Sequence, residues 1–403
     1  MKIGIMVSRQ SPQAGGGFTY DQEITQALCR LRGESAHEFF LIGYQPERPS
    51  QFNSTGLGWL SLHRARALRR RQKLAGFWSR IERRLSGKKK RTPLDYENYP
   101  SFAESPVDLI FYPTPQIRPI SDIPYITTMW DSAHRRTPFF PEVGARGEWE
   151  AREKSYRNVL GRAAYVIATN SRGREEVIHY FGLEQERVRA FPLPTPSFAL
   201  EEGATEFRPK SVMHLGIKGD FFFYPAQFWP HKNHACLLHA LKILADQHGQ
   251  KPQLVFTGSD KGNRPYVKSL AGDLGLANQI VWPGFVPRED LVTLYRQSIS
   301  LLFPSFFGPE NLPPLEAFGL GCPVIASQIP GHDEQLGDAA ILADPTAPEA
   351  WADAMHSLQS DPAQRETLIK RGRERALRYT PDNFARDLFK LMDEFAAYRR
   401  CWP

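Results

Sequence analysis

The chain alternates short runs that are apolar at every position with longer polar stretches of helical spacing. In the first half the runs are MKIGIMVS from Met1, HEFFLIGY from His37, VDLIFYPT from Val107, IPYITTMW from Ile123, AAYVIATN from Ala163 and RVRAFPL from Arg187. The second half repeats the scheme with FFFYPAQ from Phe221, QLVFTGS from Gln253, QIVWPGFV from Gln279, SISLLFPS from Ser298, CPVIAS from Cys322 and AAILADP from Ala339. A strand apolar throughout is buried on both faces. With intervening helices, such as those the spacing predicts over Tyr20 to Leu31 and Glu148 to Leu160, it predicts a parallel sheet covered on both sides. The fold class is α/β, with two Rossmann-like sheets. The polar, proline-bearing stretch from Pro194 to Lys218 has no core periodicity and reads as the linker. This predicts a first domain over residues 1–200 and a second over 201–384, with the stretch from about 385 to 403 a final helix. Open α/β sheets bind ligands beyond the carboxyl ends of their strands, so two such domains facing each other would share one cleft.

Length and composition agree with this picture. The 403 residues exceed what one hydrophobic core usually serves. No segment approaches the ~18 uninterrupted apolar residues of a membrane span. The N-terminus runs from a β-like stretch straight into a glycine loop, without the pattern of a signal peptide, which predicts a cytoplasmic protein. Cys29, Cys236, Cys322 and Cys401 have no paired spacing and read as reduced, mostly buried thiols.

Charge changes the picture in one place. Arg64 to Arg91 holds thirteen Lys or Arg and a single acid, Glu82, more than the whole-chain net charge of +7, so the remainder of the protein is acidic. Within this run Leu74, Phe77, Trp78, Ile81 and Leu85 recur at helical spacing, with Arg70, Lys73, Arg80, Arg83 and Arg84 among the cations. Such an amphipathic basic helix can lie in the interface of an anionic bilayer, its rings buried and its cations near lipid phosphates. The alternative is a helix packed on a sheet with a solvated cationic face. Nucleic acid is disfavoured as a partner, because no recognised binding fold surrounds the cations.

The candidate chemistry sits after the strands. The loop SPQAGGGFTYDQEITQAL places Gly15, Gly16 and Gly17 just before a helix, where backbone N–H groups can approach a phosphate or sugar closely; the plainer reading is a flexible turn. There is no GxGxxG register with an acidic residue some 20 positions on, which argues against a nicotinamide cofactor. In YPAQFWPHKNHACLLHALKIL, Lys232 falls where a loop turns into a helix, a place suited to a diphosphate, although a surface lysine there is ordinarily solvated. His231, His234 and His239 lack interleaved carboxylates or cysteines and do not present three ligands to one point, so no metal site is expected. In FGPENLPPLEAFGLGCPVI, Pro313 and Pro314 precede a helix expected to begin near Leu315, placing Glu316 in a first turn. A carboxylate there is favoured by the helix macrodipole and can accept both hydroxyls of a ribose diol, or can simply cap the helix.

At this point the residues resemble the retaining glycosyltransferases of family 4, which have the GT-B fold. The similarity spans nearly the whole chain. Its most specific pieces are FYPAQFWPHKNH, the stretch VWPGFVPREDLVTLYRQSISLLFPSFFGPENLPPLEAFGLGCPVIAS, and MWDSAHRRTPFFPEV with GEWEAREKSYRNVLGRAAYVIATN. The resemblance implies that Glu316 matches the second of two donor-binding glutamates eight positions apart, the one that contacts the nucleotide ribose. The first falls on Gly308, because the family's E-G-F-G-L-P is G-P-E-N-L-P here. Contact with the donor sugar is then expected from backbone amides around Asn311 and Leu312 or, better, from the displaced Glu310. Lys232 matches the lysine of the family's phosphate-binding pair, while Gln227 occupies the arginine's place. The family's His-Asp after the fourth strand is Trp130 and Asp131, as in a subgroup with a Trp-Asp version, and His134 follows. The resemblance carries Asp131 and His134 over as acceptor-side or sugar-side groups; the alternative for His134 is a loop histidine at the cleft rim. It also implies that the final helix crosses back onto the first domain.

The chemistry implied is transfer of a sugar from a nucleotide-diphosphate sugar to an acceptor hydroxyl with retention, without a cofactor. Neither a metal-binding DxD pattern nor an attacking carboxylate is evident, which favours front-face displacement with Lys232 and helix-end amides stabilising the leaving diphosphate. With the membrane reading, the acceptor is a lipid-linked glycan in bacterial surface polysaccharide assembly, and the protein is peripheral on the inner face of the cytoplasmic membrane. Two other classes compete: a sugar-nucleotide epimerase on a similar scaffold, and a catalytically silent GT-B scaffold at the membrane.

Overall fold

The computed structural model describes residues 1–8, 15–62, 107–115, 119–120, 122–207 and 209–402. The basic run, with Arg70, Lys73, Phe77, Trp78, Arg80, Arg83 and Arg84, lies outside the described residues. Among those described, no helix is long and apolar enough to cross a membrane.

Two parallel sheets form the frame. The first consists of β1 (Lys2–Met6), β2 (Glu38–Gly43), β3 (Gly58–Ser61), β4 (Leu109–Tyr112), β5 (Tyr125–Met129), β6 (Tyr165–Ala168) and β7 (Val188–Ala190), in the order β3-β2-β1-β4-β5-β6-β7. The second consists of β8 (Phe221–Pro225), β9 (Gln253–Thr257), β10 (Ile280–Gly284), β11 (Leu301–Phe303), β12 (Val324–Ser327) and β13 (Ile341–Ala343), in the order β10-β9-β8-β11-β12-β13. Every expected run contains a strand. Their apolar composition follows from burial on both faces: β4, β5, β6, β11 and β12 are buried at each position. In each sheet the order reverses once, between β1 and β4 and between β8 and β11. Those two switch points are where open α/β sheets leave a crevice for a ligand.

The helix Gly16–Leu31 follows β1 and buries Tyr20, Ile24, Ala27 and Leu28 at helical spacing. Against it lies the C-terminal helix Pro381–Arg399, started by Thr380, whose hydroxyl accepts the Asn383 N–H at 3.2 Å. This helix begins slightly earlier than its pattern suggested and crosses back onto the first domain. Phe384 meets Tyr20 edge-on at 6.0 Å, Phe389 meets Phe39 at 5.5 Å, and Arg386 pairs with Glu34 at 2.8 Å. Each buried phenylalanine contributes about 1.5 to 3 kcal/mol, far more than the exposed ion pair.

The stretch Pro194 to Lys218 is not wholly a linker: Ser197–Ala204 is a helix that buries Phe198 and Ala199 and packs on the helix Leu312–Leu320. The contact is made by small residues rather than an apolar stripe. A Cβ on Gly203 would fall 1.8 Å from the carbonyl oxygen of Gly319. The short edge strand β3 was likewise not expected; its GWLS pairs Trp59 with Leu41.

Candidate functional site

A cavity of about 1020 Å³ opens between the carboxyl ends of the two sheets. On the first-domain side the Gly15–Gly17 loop lines it. Gly15 has φ 77° and ψ −139°, a backbone conformation closed to ordinary side chains, and it leads directly into the helix Gly16–Leu31. Among the described residues that helix start has no side-chain cap and no acid in its first turn, and Gly16 and Gly17 at its positive dipole end line the cavity. A Cβ on Gly15 would sit 3.9 Å from Gln227 Nε2, and one on Gly16 would sit 3.5 Å from Leu312 Cδ1. The glycine loop of one domain therefore abuts two cavity-lining residues of the other.

On the second-domain side, Lys232 closes the turn Pro230–Lys232 after β8. Its Nζ lies 3.5 Å from Ser305 Oγ and 5.0 Å over the Phe303 ring. Burial pushes the ammonium down to about 8, against the opposing pull of the Asp131 and Glu142 carboxylates across the cleft. Gln227 lines the same wall and accepts the indole N–H of Trp229 at 3.0 Å.

The loop after β11 is held by its own side chains. Gly308 has φ 103°, and Asn311 donates from Nδ2 to the Gly308 carbonyl at 3.0 Å. Gln335 clasps Asn311 from behind, accepting its backbone N–H at 3.0 Å and donating to its carbonyl at 2.8 Å. The Asn311 amide, one of those suggested as a sugar contact, is thus occupied, whereas Leu312 lines the cavity. The following helix begins at Leu312, three residues earlier than expected, so Glu316 falls in the second turn rather than the first. Glu316 accepts the Tyr295 hydroxyl at 2.6 Å and is not among the residues lining the cavity. Burial raises its pKa, partly offset by that hydroxyl and by Arg288.

Glu310 does line the cavity, at 9 % exposure, and burial raises its pKa well above the ordinary carboxylate value. One of its oxygens is committed to the backbone N–H of Leu193. Asp131 also lines the cavity; its Oδ1 accepts the Ala133 N–H at 2.9 Å and lies 3.6 Å from Arg152 Nη1.

His134 is a correction. Expected at the cleft, it is wholly buried, its Nε2 lies 3.2 Å from Glu153 Oε2, and its ring packs 5.4 Å from Tyr156 and 6.5 Å from Phe181. Its position one turn beyond Asp131 points it into the helical layer beneath the site. Among the other histidines, His234 is stacked on Phe228 at 4.4 Å in the second-domain core, and His231 faces Glu142. The two rings thus make different contacts.

The sequence reading missed several cavity residues. Glu142, on the short helix Pro141–Gly144, accepts the His231 backbone N–H at 3.0 Å and contacts the His231 ring. Arg146, Arg152, Trp229 and Lys261 complete the walls, with Arg146 held at φ 57°. The aromatic-Pro-Glu of FFPEV was the only signal for Glu142, and it gains meaning only when the domains are juxtaposed. Trp130 Nε1 and Thr169 Oγ1 belong to cavity-lining residues and are buried without a partner among the described residues. Such groups are satisfied by a polar ligand or by ordered water.

Fold and site together define the GT-B architecture: two Rossmann-like domains, a shared cleft at both switch points, and a C-terminal helix returning to the first domain. Residues 213–375, most of the second domain, match the family described as "Glycosyl transferases group 1". Over 244 residues the chain is 28 % identical to O-antigen chain mannosyltransferase B of Escherichia coli, covering 60 % of this chain and 64 % of the relative's length. The chain therefore spans less than two thirds of that relative. Sucrose-phosphate synthase from Thermosynechococcus elongatus superposes with a TM-score of 0.69 at 18 % identity, covering 98 % of this chain and 99 % of that one. Anabaena HepE in complex with UDP-glucose superposes with a TM-score of 0.65 at 15 % identity, covering 98 % and 100 %. The epimerase alternative gains no support from these matches.

Proposed function

We propose that the protein is a metal-independent, retaining glycosyltransferase that moves a sugar from a nucleotide-diphosphate sugar to an acceptor hydroxyl. The observation that carries this reading is the meeting of Lys232 with a helix N-terminus from each domain across one shared cavity. Lys232 and the N–H groups at those helix ends neutralise the diphosphate, with Gln227 contributing a polar but uncharged contact. The glycine loop lets the backbone approach the phosphate and sugar. Asn311 holds the loop that borders them, Leu312 offers the first N–H of the helix it opens, and Gly308 leaves room where a larger residue would crowd Asn311. In the reaction the bond from the anomeric carbon to the phosphate oxygen breaks and its electron pair leaves with the diphosphate. The acceptor oxygen bonds to that carbon from the same face, and its proton passes to the departing phosphate. Asp131 orients the acceptor or the sugar; Glu310 offers its second oxygen to a sugar hydroxyl; Glu316 serves the ribose once Tyr295 or the helix adjusts.

The E. coli relative is named for the O-antigen chain and the Anabaena structure holds UDP-glucose, which supports a nucleotide-sugar donor and a glycan acceptor of the surface-polysaccharide kind. The basic run supports an acceptor presented at an anionic membrane. Flotation with anionic and neutral liposomes checks this, and equal recovery with both removes it.

The deciding experiment is calorimetric binding of UDP, GDP and dTDP with EDTA present, to the wild type and to Glu316→Ala. Binding of one nucleotide, weakened by roughly 1.5 to 3 kcal/mol in the variant, establishes the donor site and its base. No binding to either protein favours the silent scaffold.

A further inference from the structure

The Glu142 side chain stands apart from the other acids of the cleft. It is 6 % exposed, on a first-domain segment that reaches across the domain boundary. Its Oε1 accepts the His231 backbone N–H at 3.0 Å and meets the His231 ring as well. Its Oε2 is buried and has no hydrogen-bond partner among the described residues, in a residue that lines the cavity. A buried carboxylate oxygen without a donor is costly unless a ligand supplies one.

The surroundings restrict what that donor can be. Burial alone would oppose ionisation, but the His231 ring and amide and Glu142's own amide outweigh it and hold the carboxyl below its ordinary value. Oε2 is therefore a hydrogen-bond acceptor at neutral pH, not a proton donor. Burial lowers His231 to about 4, so the ring is neutral and leaves the carboxylate's charge uncancelled. The His231 ring is stacked at 3.8 Å on Phe307, which adjoins Gly308, and His231 itself adjoins Lys232. The two loops that border the diphosphate position are thus the ones that fix Glu142. A phosphate would be repelled by this carboxylate, and a cation would find only one free oxygen. A neutral hydroxyl next to a diphosphate fits.

We propose that Glu142 Oε2 accepts a hydroxyl of the sugar carried by the nucleotide donor, in a subsite completed only when closure sets Oε1 against His231. The inference rests on the transferase reading above. It assigns to a first-domain residue the acid–hydroxyl contact for which Gly308 has no side chain.

Binding of GDP and GDP-mannose, and of UDP and UDP-glucose, to the full chain tests it with the variants Glu142→Gln and His231→Phe. In Glu142→Gln the amide oxygen must stay on the His231 N–H, which turns an NH₂ donor toward the cavity where an acceptor stood. The expected result is a loss of five-fold or more in affinity for the nucleotide sugar, with the bare nucleotide unchanged within two-fold, which also shows that the variant is folded. Glu142→Gln that weakens nucleotide and nucleotide sugar equally, as His231→Phe does, makes Glu142 a latch only and overturns the proposal. So does Glu142→Gln that matches the wild type on both ligands. Wild type that binds none of the four overturns the transferase reading itself, and the inference with it.

Discussion

The carboxylate of Glu310, in the loop after β11, accepts the backbone N–H of Leu193 at 2.6 Å, joining the second domain to the segment that leaves the first. Burial raises the Glu310 pKa well above that of an exposed glutamate, with nearby Glu334 adding to the effect. The folded protein therefore binds this proton more tightly than the unfolded chain, whose glutamate titrates near pH ~4.3. The stability Glu310 contributes is present below that value and is lost as pH rises toward its folded pKa. Glu310→Gln keeps an oxygen for Leu193 and does not ionise. It is expected to melt higher than wild type at pH 8, by about 2 to 4 °C for each kcal/mol of added stability, and to match wild type near pH 4. Thermal unfolding of both proteins across this range checks it; a lower melting temperature for the variant at pH 8 means the ionised carboxylate is preferred.

His134 sits among Tyr156, Phe181 and Trp149 beneath the cleft floor. His134→Ala should destabilise the protein by about 2 to 5 kcal/mol through the cavity it leaves, while nucleotide affinity stays within about two-fold. Urea unfolding and calorimetry on the same preparation separate the two effects. A stable variant with impaired nucleotide or donor binding would put His134 back in the site.

The contrast between these residues shows what the sequence could and could not carry. Strands were legible because burial on both faces writes itself as unbroken apolar runs, and the loops that follow them were legible because glycine, proline and lysine cluster there. β3 was not, since an edge strand with Gly58 at its start has little to bury. The helix Ser197–Ala204 was not, since its contact is a close approach of Gly203 to Gly319. His134 and Glu142 were misread or missed for one reason: each lies on a short helix after β5, where spacing along the chain does not say which side chain turns down into the core and which turns across to the other domain. Glu142 acquires its partner from residue 231, on the turn that follows β8 in the other domain.

Gly203 offers a test of that helix contact. A methyl group there would meet the Gly319 backbone at 1.8 Å, and backbone cannot swing aside as a side-chain end can. Gly203→Ala should cost about 1 to 3 kcal/mol or more, despite the better helix propensity of alanine. Urea denaturation measures it. A neutral or stabilising result would mean that the linker helix can slide on the helix Leu312–Leu320.

Lys232 provides the sharpest pH test of the site. Its ammonium is pushed down to about 8 by burial, with Asp131 and Glu142 acting the other way. The free protein therefore begins to lose this charge just above neutrality, and an anion that needs it will bind less well as pH rises through that value. Nucleoside diphosphate affinity in wild type is expected to be flat from pH 6.5 to 7.5 and to fall between pH 8 and 9.5. Lys232→Ala should bind about 10- to 150-fold more weakly at pH 7, the range for a lost hydrogen bond to a charged group, and should lack the fall above pH 8. Calorimetry in buffers of differing ionisation enthalpy also reads proton uptake directly: wild type should take up protons on binding at pH 8.5, because a bound diphosphate raises the lysine pKa. An unchanged pH profile in Lys232→Ala would assign the titrating group elsewhere in the cleft, and an unchanged affinity would remove Lys232 from the diphosphate site.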